Sequence, residues 1–177
     1  MELKTFIVSL NKDNAFNIAK ELIKVNDSLS ITPYFTTDNE YKNEVNENYI
    51  YYLGVDNVNL SYKNNALLYI KTNNYISSGI TIDDFYNNDI CFMNIEEFNM
   101  ISEVIFKKYN VLIIWIDSIN HKQVSPSEMI EVNYFSNFIE NHDYLYFLEN
   151  ETNICKTIID YIFGDDEIRQ ELLKENN

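Results

Sequence analysis

The chain has 177 residues, 46% hydrophobic and 15% aromatic, with 28 acidic side chains against 13 basic ones and a formal net charge of -15. That apolar content excludes a disordered chain despite the charge, and the length lets one core bury about two-thirds of the unfolded surface without disulfides or metals. Direct nucleic-acid binding and an anionic membrane surface are poor fits, since displacing phosphate counterions needs a basic patch and the single arginine, Arg169, has no lysine cluster to support it.

Along the chain the apolar period switches between two and 3.6, the signature of strands and helices interleaved around a largely parallel sheet. A buried strand is expected over 6–10, then a helix capped by Asn14 or a neighbour and running to about Val25, with Phe16, Ala19, Leu22 and Ile23 on its inner face. A short strand over 30–36 precedes the polar run "TDNEYKNEVNEN", read as an exposed loop, and the strand "YIYYL". Residues 64–88 read as short extended pieces and turns.

"DICFMNI" is a second buried strand, followed by a helix over 96–108 with Phe98, Ile101, Val104 and Ile105 inward. "NVLIIWID" is a central strand ended by Asp117. After Pro126 come a helix over 127–140, a last strand "YLYFLEN", and the helix "NETNICKTIIDYIFG" stopped by Gly164; the tail "DDEIRQELLKENN" suits one more short helix. No linker or repeat divides residues 1–177, so a single domain is expected.

The longest apolar stretch, "VLIIWI", is too short to span a bilayer, and the N-terminus lacks a secretory signal. Cys91 and Cys155 lie far apart in apolar contexts without CxxC spacing, as reduced core residues of a cytoplasmic protein do. Scarce Gly and Pro with abundant Asn, Ile, Lys and Tyr points to AT-rich coding, as in many viruses, phages and some parasites. His121 and His142 are the only histidines; Ser118 and Asp117 are near His121, but no nucleophile elbow accompanies them. The adjacent carboxylates Asp83 with Asp84, Glu96 with Glu97, and Asp165 with Asp166 read as solvated faces or helix starts rather than a metal site.

The opening "FIVSLNKDNAFNIAKEL" runs a strand into a helix where a phosphate-cradling turn would stand, but the turn has no glycine. Four stretches carry a resemblance. "IVSLNKDNAFN" lies without gaps on the pattern I-V-S-G-P-S-G-x-G-K-S, and "TTDNEYKNEVNENYIYYL" on T-T-R-x-P-R-x-G-E-V with its aromatic strand. "NYISSG" is an imperfect N-Y-Y-G, and "HDYLYFLENETNICKTIIDYI" is similar to Y-D-Y-x-x-x-N-D with its helix. In this order they resemble the guanylate kinase family of P-loop nucleoside-monophosphate kinases over most of the chain. The resemblance implies a three-layer α/β fold of the P-loop kinase type with a mainly parallel sheet and a shortened lid.

Phosphoryl transfer in that family needs backbone N–H groups of a glycine-rich turn, a lysine at the transferring group and a hydroxyl on magnesium. The degenerate loop is Leu10, Asn11, Lys12, Asp13, Asn14, Ala15, Phe16 and Asn17. Leu10, Asp13 and Ala15 replace glycines, Phe16 stands at the lysine and Asn17 at the hydroxyl, while Lys12 reads as a solvated turn residue. On the acceptor side, Asp38 and Tyr41 replace the monophosphate-binding arginines, Tyr34 the base-reading serine, and Leu67 or Leu68 the base-reading carboxylate. The acidic residue of the family's I-D-x-x-G falls at Asn94 or Ile95, and the phosphate-touching tyrosines correspond to Tyr49, Tyr51 or Tyr75. Each lost charge-assisted contact removes on the order of 1.5–3 kcal/mol of ligand binding.

The expectation is therefore a catalytically inactive member without cofactor, used to bind another protein or as a subunit of a viral or phage assembly, in an oligomeric state left open. Tyr49, Tyr51, Tyr52 and Tyr62 are the candidate interaction surface, since tyrosines suit interfaces. Two alternatives stand: an acidic decoy that engages a nucleic-acid-binding protein through its carboxylates, and a diverged nucleotide-binding protein or kinase.

Overall fold

The computed structural model describes residues 3–43, 49–117 and 124–175. They form two compact units: one of residues up to Ser30 and from Ile90 onward, the other Ile31–Asp89.

The first unit is built on a four-stranded sheet in which every pairing is parallel. Its strands are β1 (Leu3–Ser9), β6 (Ile90–Asn94), β7 (Asn110–Asp117) and β8 (Tyr144–Leu148), in the order β6-β1-β7-β8. β1, β6 and β7 are buried almost throughout because helices cover both faces. The edge strand β8 alternates buried Leu145 and Phe147 with half-buried Tyr144, Tyr146 and Leu148. The helices are α1 (Lys12–Val25), α4 (Ile95–Phe106), α5 (Pro126–Ile139), α6 (Ile154–Phe163) and α7 (Asp166–Glu175). α1 lies on β1 and β6 and touches α6, and α4 packs with α5, which makes three layers.

Helical periodicity decides which side chains enter this core. Ala15, Ala19 and Leu22 are the buried face of α1, with Phe16 and Ile23 only half-buried at its margins. In α4, Phe98, Ile101 and Ile105 are buried, but Val104, expected inside, is 51% exposed. Six residues beyond Phe98 at about 100° each place it well round the helix from that stripe.

Phe98 meets Phe6, Phe135 and Phe138 edge-on, with centroids 5.5–6.1 Å apart. Each such pair contributes about 0.5–1.5 kcal/mol beyond its buried area. The His142 ring stacks on Phe138 at 4.5 Å, and its Nδ1 is 2.9 Å from the Phe138 carbonyl oxygen. His121 and Ser118 lie outside the described residues, as do residues 44–48 of the polar run.

The second unit carries a separate mixed sheet, where the resemblance implies one mainly parallel sheet. Its strands β2 (Tyr34–Thr36), β3 (Ile50–Tyr52), β4 (Leu67–Asn73) and β5 (Ile76–Thr81) are ordered β3-β2-β5-β4. β2 runs parallel to β3 and antiparallel to β5, which pairs antiparallel with β4. The strand expected over 30–36 contracts to begin just after Pro33, which lacks a ladder donor. Tyr49 has φ 56, outside the extended region, so β3 starts one residue later than expected.

The extended pieces after residue 64 are one hairpin, turned through Asn74 (φ 47) and Tyr75 (φ 68). Positive φ at both turn positions matches the right-handed twist of the strands. Gly79 sits inside β5 because a Cβ there would stand 2.0 Å from the Tyr69 carbonyl oxygen. Two helices complete the unit, α2 (Val55–Lys63) and α3 (Ile82–Tyr86), with a 3₁₀ turn over Asn39–Asn43. α2 is absent from the sequence reading: it buries only Val58 and starts at Gly54 without a side-chain cap.

Candidate functional site

In an open parallel sheet the ligand crevice lies beyond the carboxyl ends of the strands, where successive connections leave in opposite directions. Here β1 connects to β6 on one side and β7 to β8 on the other, so that point falls between β1 and β7. The strand ends supply Ser9, Asn94 and Asp117, with Ser9 in register with Asn94 and Ile116.

Ser9 is fully buried and its Oγ has no hydrogen-bond partner among the described residues. Asp117 is also buried, and its carboxylate accepts the Tyr146 hydroxyl at 2.9 Å. Desolvation, then the Asp117 charge and hydrogen bond, push the Tyr146 phenol up to about 12. The backbone joins the same two strand ends, with Glu149 N–H donating to the Asp117 carbonyl at 3.0 Å.

The β1–α1 junction departs from the sequence expectation. Only Leu10 and Asn11 separate strand from helix, and α1 begins at Lys12. Asn11, not Asn14, is the cap: its Oδ1 accepts the Asp13 N–H at 3.0 Å and its carbonyl accepts the Asn14 N–H at 3.0 Å. Without glycine to hold an irregular turn, the helix propagates back to the strand end.

Asp13, Asn14, Ala15, Phe16 and Asn17 are therefore helical residues. Ala15 is buried, and Asn17 and Asp13 are exposed. Phe16 lies against Phe92 of β6, centroids 4.7 Å apart, with the Lys20 ammonium 5.2 Å from its ring. Lys12, read as a solvated turn residue, lies 3.0 Å from both Glu97 carboxylate oxygens and 5.6 Å from the Phe92 centroid. Asn14 donates from Nδ2 to Glu149 at 2.8 Å.

Glu97 has a second task. It closes the capping box of α4, accepting the Asn94 N–H at 3.3 Å while Asn94 Oδ1 accepts the Glu97 N–H at 2.8 Å. Ser125 and Glu128 form the same box at α5, where the Ser125 hydroxyl and N–H hold the Glu128 carboxyl below its usual range. A cavity of about 310 Å³ lies beside these two helix starts, lined by Leu10, Asn94, Ile95, Glu96, Ser127, Glu128 and Glu131. Its charged lining is wholly acidic, and the helix starts that would attract an anion are closed by their own glutamates. Among the described residues, no group of three or more His, Cys, Asp or Glu side chains is arranged to hold a metal ion.

The remaining candidates fall in the second unit. Tyr34 is buried in β2, and Asp38 caps the 3₁₀ turn by accepting the Glu40 N–H at 3.1 Å. Tyr41 lies half-buried in that turn, and Tyr75 is 99% exposed at the hairpin tip. Tyr49 is half-buried beside β3.

Tyr51 and Tyr52 point to opposite faces of β3. Tyr51 donates to Asp84 at 2.7 Å, where Thr81 also donates at 2.6 Å; burial, with Asp84 beside it, raises the Tyr51 phenol well above its ordinary value. Tyr52 reaches Asn39 at 3.4 Å and lies under the Lys42 ammonium, while Tyr62 is exposed on α2.

A three-layer parallel α/β unit interrupted by a mixed-sheet unit is the class that this architecture defines. No protein-family model and no curated protein sequence matches the chain. Among solved structures it is similar to the guanylate kinase from Anaplasma phagocytophilum, with a TM-score of 0.56 and 13% identity over 97% of this chain and 86% of that one. The fold is thus guanylate-kinase-like. Among the described residues no helix is long and apolar enough to cross a membrane.

Proposed function

We propose that the chain is a catalytically inactive guanylate-kinase-like domain whose work is to bind another protein or serve as a structural subunit. The observation that carries this reading is the Lys12–Glu97 pair at a helix start only two residues beyond β1. A phosphate needs open N–H groups and an uncommitted cation. Here the cap uses its own side chain, the cation is paired with a buried carboxylate, and Asp13, Glu97 and Glu149 bring negative charge to the same turn.

The test is thermal-shift measurement with GMP, dGMP, GDP and ATP, each with magnesium, alongside an assay for phosphoryl transfer from ATP to GMP. The reading expects neither a shift nor turnover. A clear shift with any nucleotide overturns it in favour of a rebuilt nucleotide site.

The acidic-decoy reading is supported by the net charge of -15 alone. Partner binding that collapses between low and moderate salt favours it over an interface held by apolar and tyrosine contacts.

A further inference from the structure

We propose that the groove between α6 and α7 is the docking surface, and that its occupant is a short amphipathic helix of a partner protein with lysines or arginines flanking its apolar face. The inference rests on the protein-binding reading above and gives it a place and a chemistry.

The groove measures about 520 Å³. Ile159 and Phe163 of α6 face Ile168 and Leu172 of α7 across it, and Asp160, Glu171 and Glu175 stand around them. The spacing explains the arrangement: 159 and 163 are one turn apart, as are 168 and 172, so each helix contributes an apolar stripe, beside Asp160 on α6 and the Glu171–Glu175 row on α7. Phe163 is 56% and Ile168 42% exposed, while Ile158 and Tyr161 of α6 and Leu173 of α7 are buried.

The walls are fixed before any partner arrives. Arg169 donates from Nε to the Tyr161 carbonyl and from Nη2 to the Ile162 carbonyl, both at 3.0 Å, so the chain's one arginine ties α7 to the last carbonyls of α6. Gly164 fits at the junction because a Cβ there would stand 2.3 Å from the Asp160 carbonyl oxygen and 2.9 Å from the Ile168 side chain.

Charge selects the occupant. The groove residues include three carboxylates and no cation, so a helix with basic flanks is drawn in and oriented, in the helix-in-groove mode of recognition. A second copy of this chain would bring the same carboxylates, and another net charge of -15, against them. The ten residues of α7 span about 15 Å, which suits a partner helix of two to three turns.

The experiment uses the full chain and a fluorescein-labelled peptide of Leu and Lys in heptad spacing, with the same peptide carrying Glu for Lys as control, read by fluorescence anisotropy. Three double variants are compared, each checked for fold by circular dichroism: Phe163→Glu with Ile168→Glu, Glu171→Lys with Glu175→Lys, and Glu21→Lys with Glu103→Lys. The last makes the same change in net charge as the second, at exposed sites on α1 and α4.

The Leu/Lys peptide is expected to bind, with affinity lowered at least about tenfold by each groove variant and under about twofold by the remote one, while the Glu peptide does not bind. The proposal is overturned if the Leu/Lys peptide fails to bind, if the remote variant weakens it as much as the groove variants, or if the chain self-associates through these helices in sedimentation. Nucleotide binding with peptide docking intact would overturn the inactive-kinase reading and leave the groove. No nucleotide binding and no docking would overturn the groove alone.

Discussion

The ammonium of Lys12 lies 3.0 Å from both carboxylate oxygens of Glu97, joining the first turn of α1 to the first turn of α4 across 85 residues of sequence. Glu97 is nearly buried, so removing its cation leaves a carboxylate that water solvates poorly. Lys12→Ala is expected to cost about 1–3 kcal/mol in urea unfolding, less than a fully buried pair because Lys12 keeps some solvent contact. The same change in a Glu97→Gln background should cost under about 1 kcal/mol. Additive costs would contradict the pairing.

The cap at the head of α1 gives a second test. Asn11→Ala should lower stability by about 1 kcal/mol, because the Asp13 N–H loses its acceptor. Asn14→Ala removes only an exposed contact to Glu149 and should cost less. A larger loss at Asn14 would mean that the helix starts where the sequence pattern alone suggests.

Much of the first unit is readable from sequence because burial on both faces leaves an unbroken signal: "NVLIIWID" is β7, ending at Asp117 as expected. The core face of α4 was legible at Phe98, Ile101 and Ile105, but apolar character alone could not separate Val104 from them. α2 was illegible for the opposite reason, since an Asn-rich segment with one buried residue has neither period nor cap. At the site, the missing glycines were plain in sequence. The contacts around that turn were not, because the Lys12–Glu97, Asn14–Glu149 and Asp117–Tyr146 contacts are long-range and no local pattern encodes them.

Tyr146 makes a pH prediction. Its folded-state pKa is raised from 10.0 to about 12, so the neutral phenol is the form that the fold favours. The resulting stabilisation is fully present below about pH 10 and is lost as pH rises toward 12. The stability advantage of the native chain over Tyr146→Phe should therefore shrink across that window in urea titrations. An advantage that stays constant from pH 9 to 12 would contradict the assignment.

Gly79 and Gly54 form a contrast within the second unit. A Cβ at Gly79 meets backbone at 2.0 Å, whereas at Gly54 the nearest atoms are 3.9 Å away on Tyr52. Gly79→Ala should cost about 3 kcal/mol and Gly54→Ala under about 1 kcal/mol, measured as shifts in the unfolding midpoint. Comparable losses at the two positions would show that the close approach of β4 to β5 is not what holds Gly79 in place.

The central claim is that the turn after β1 does not hold phosphate. Isothermal titration calorimetry of the full chain with GMP and with magnesium ATP tests it most directly. The account predicts only heats of dilution for both. A saturable heat with either nucleotide that Lys12→Ala abolishes would show that Lys12 leaves Glu97 to bind phosphate, and would contradict the account.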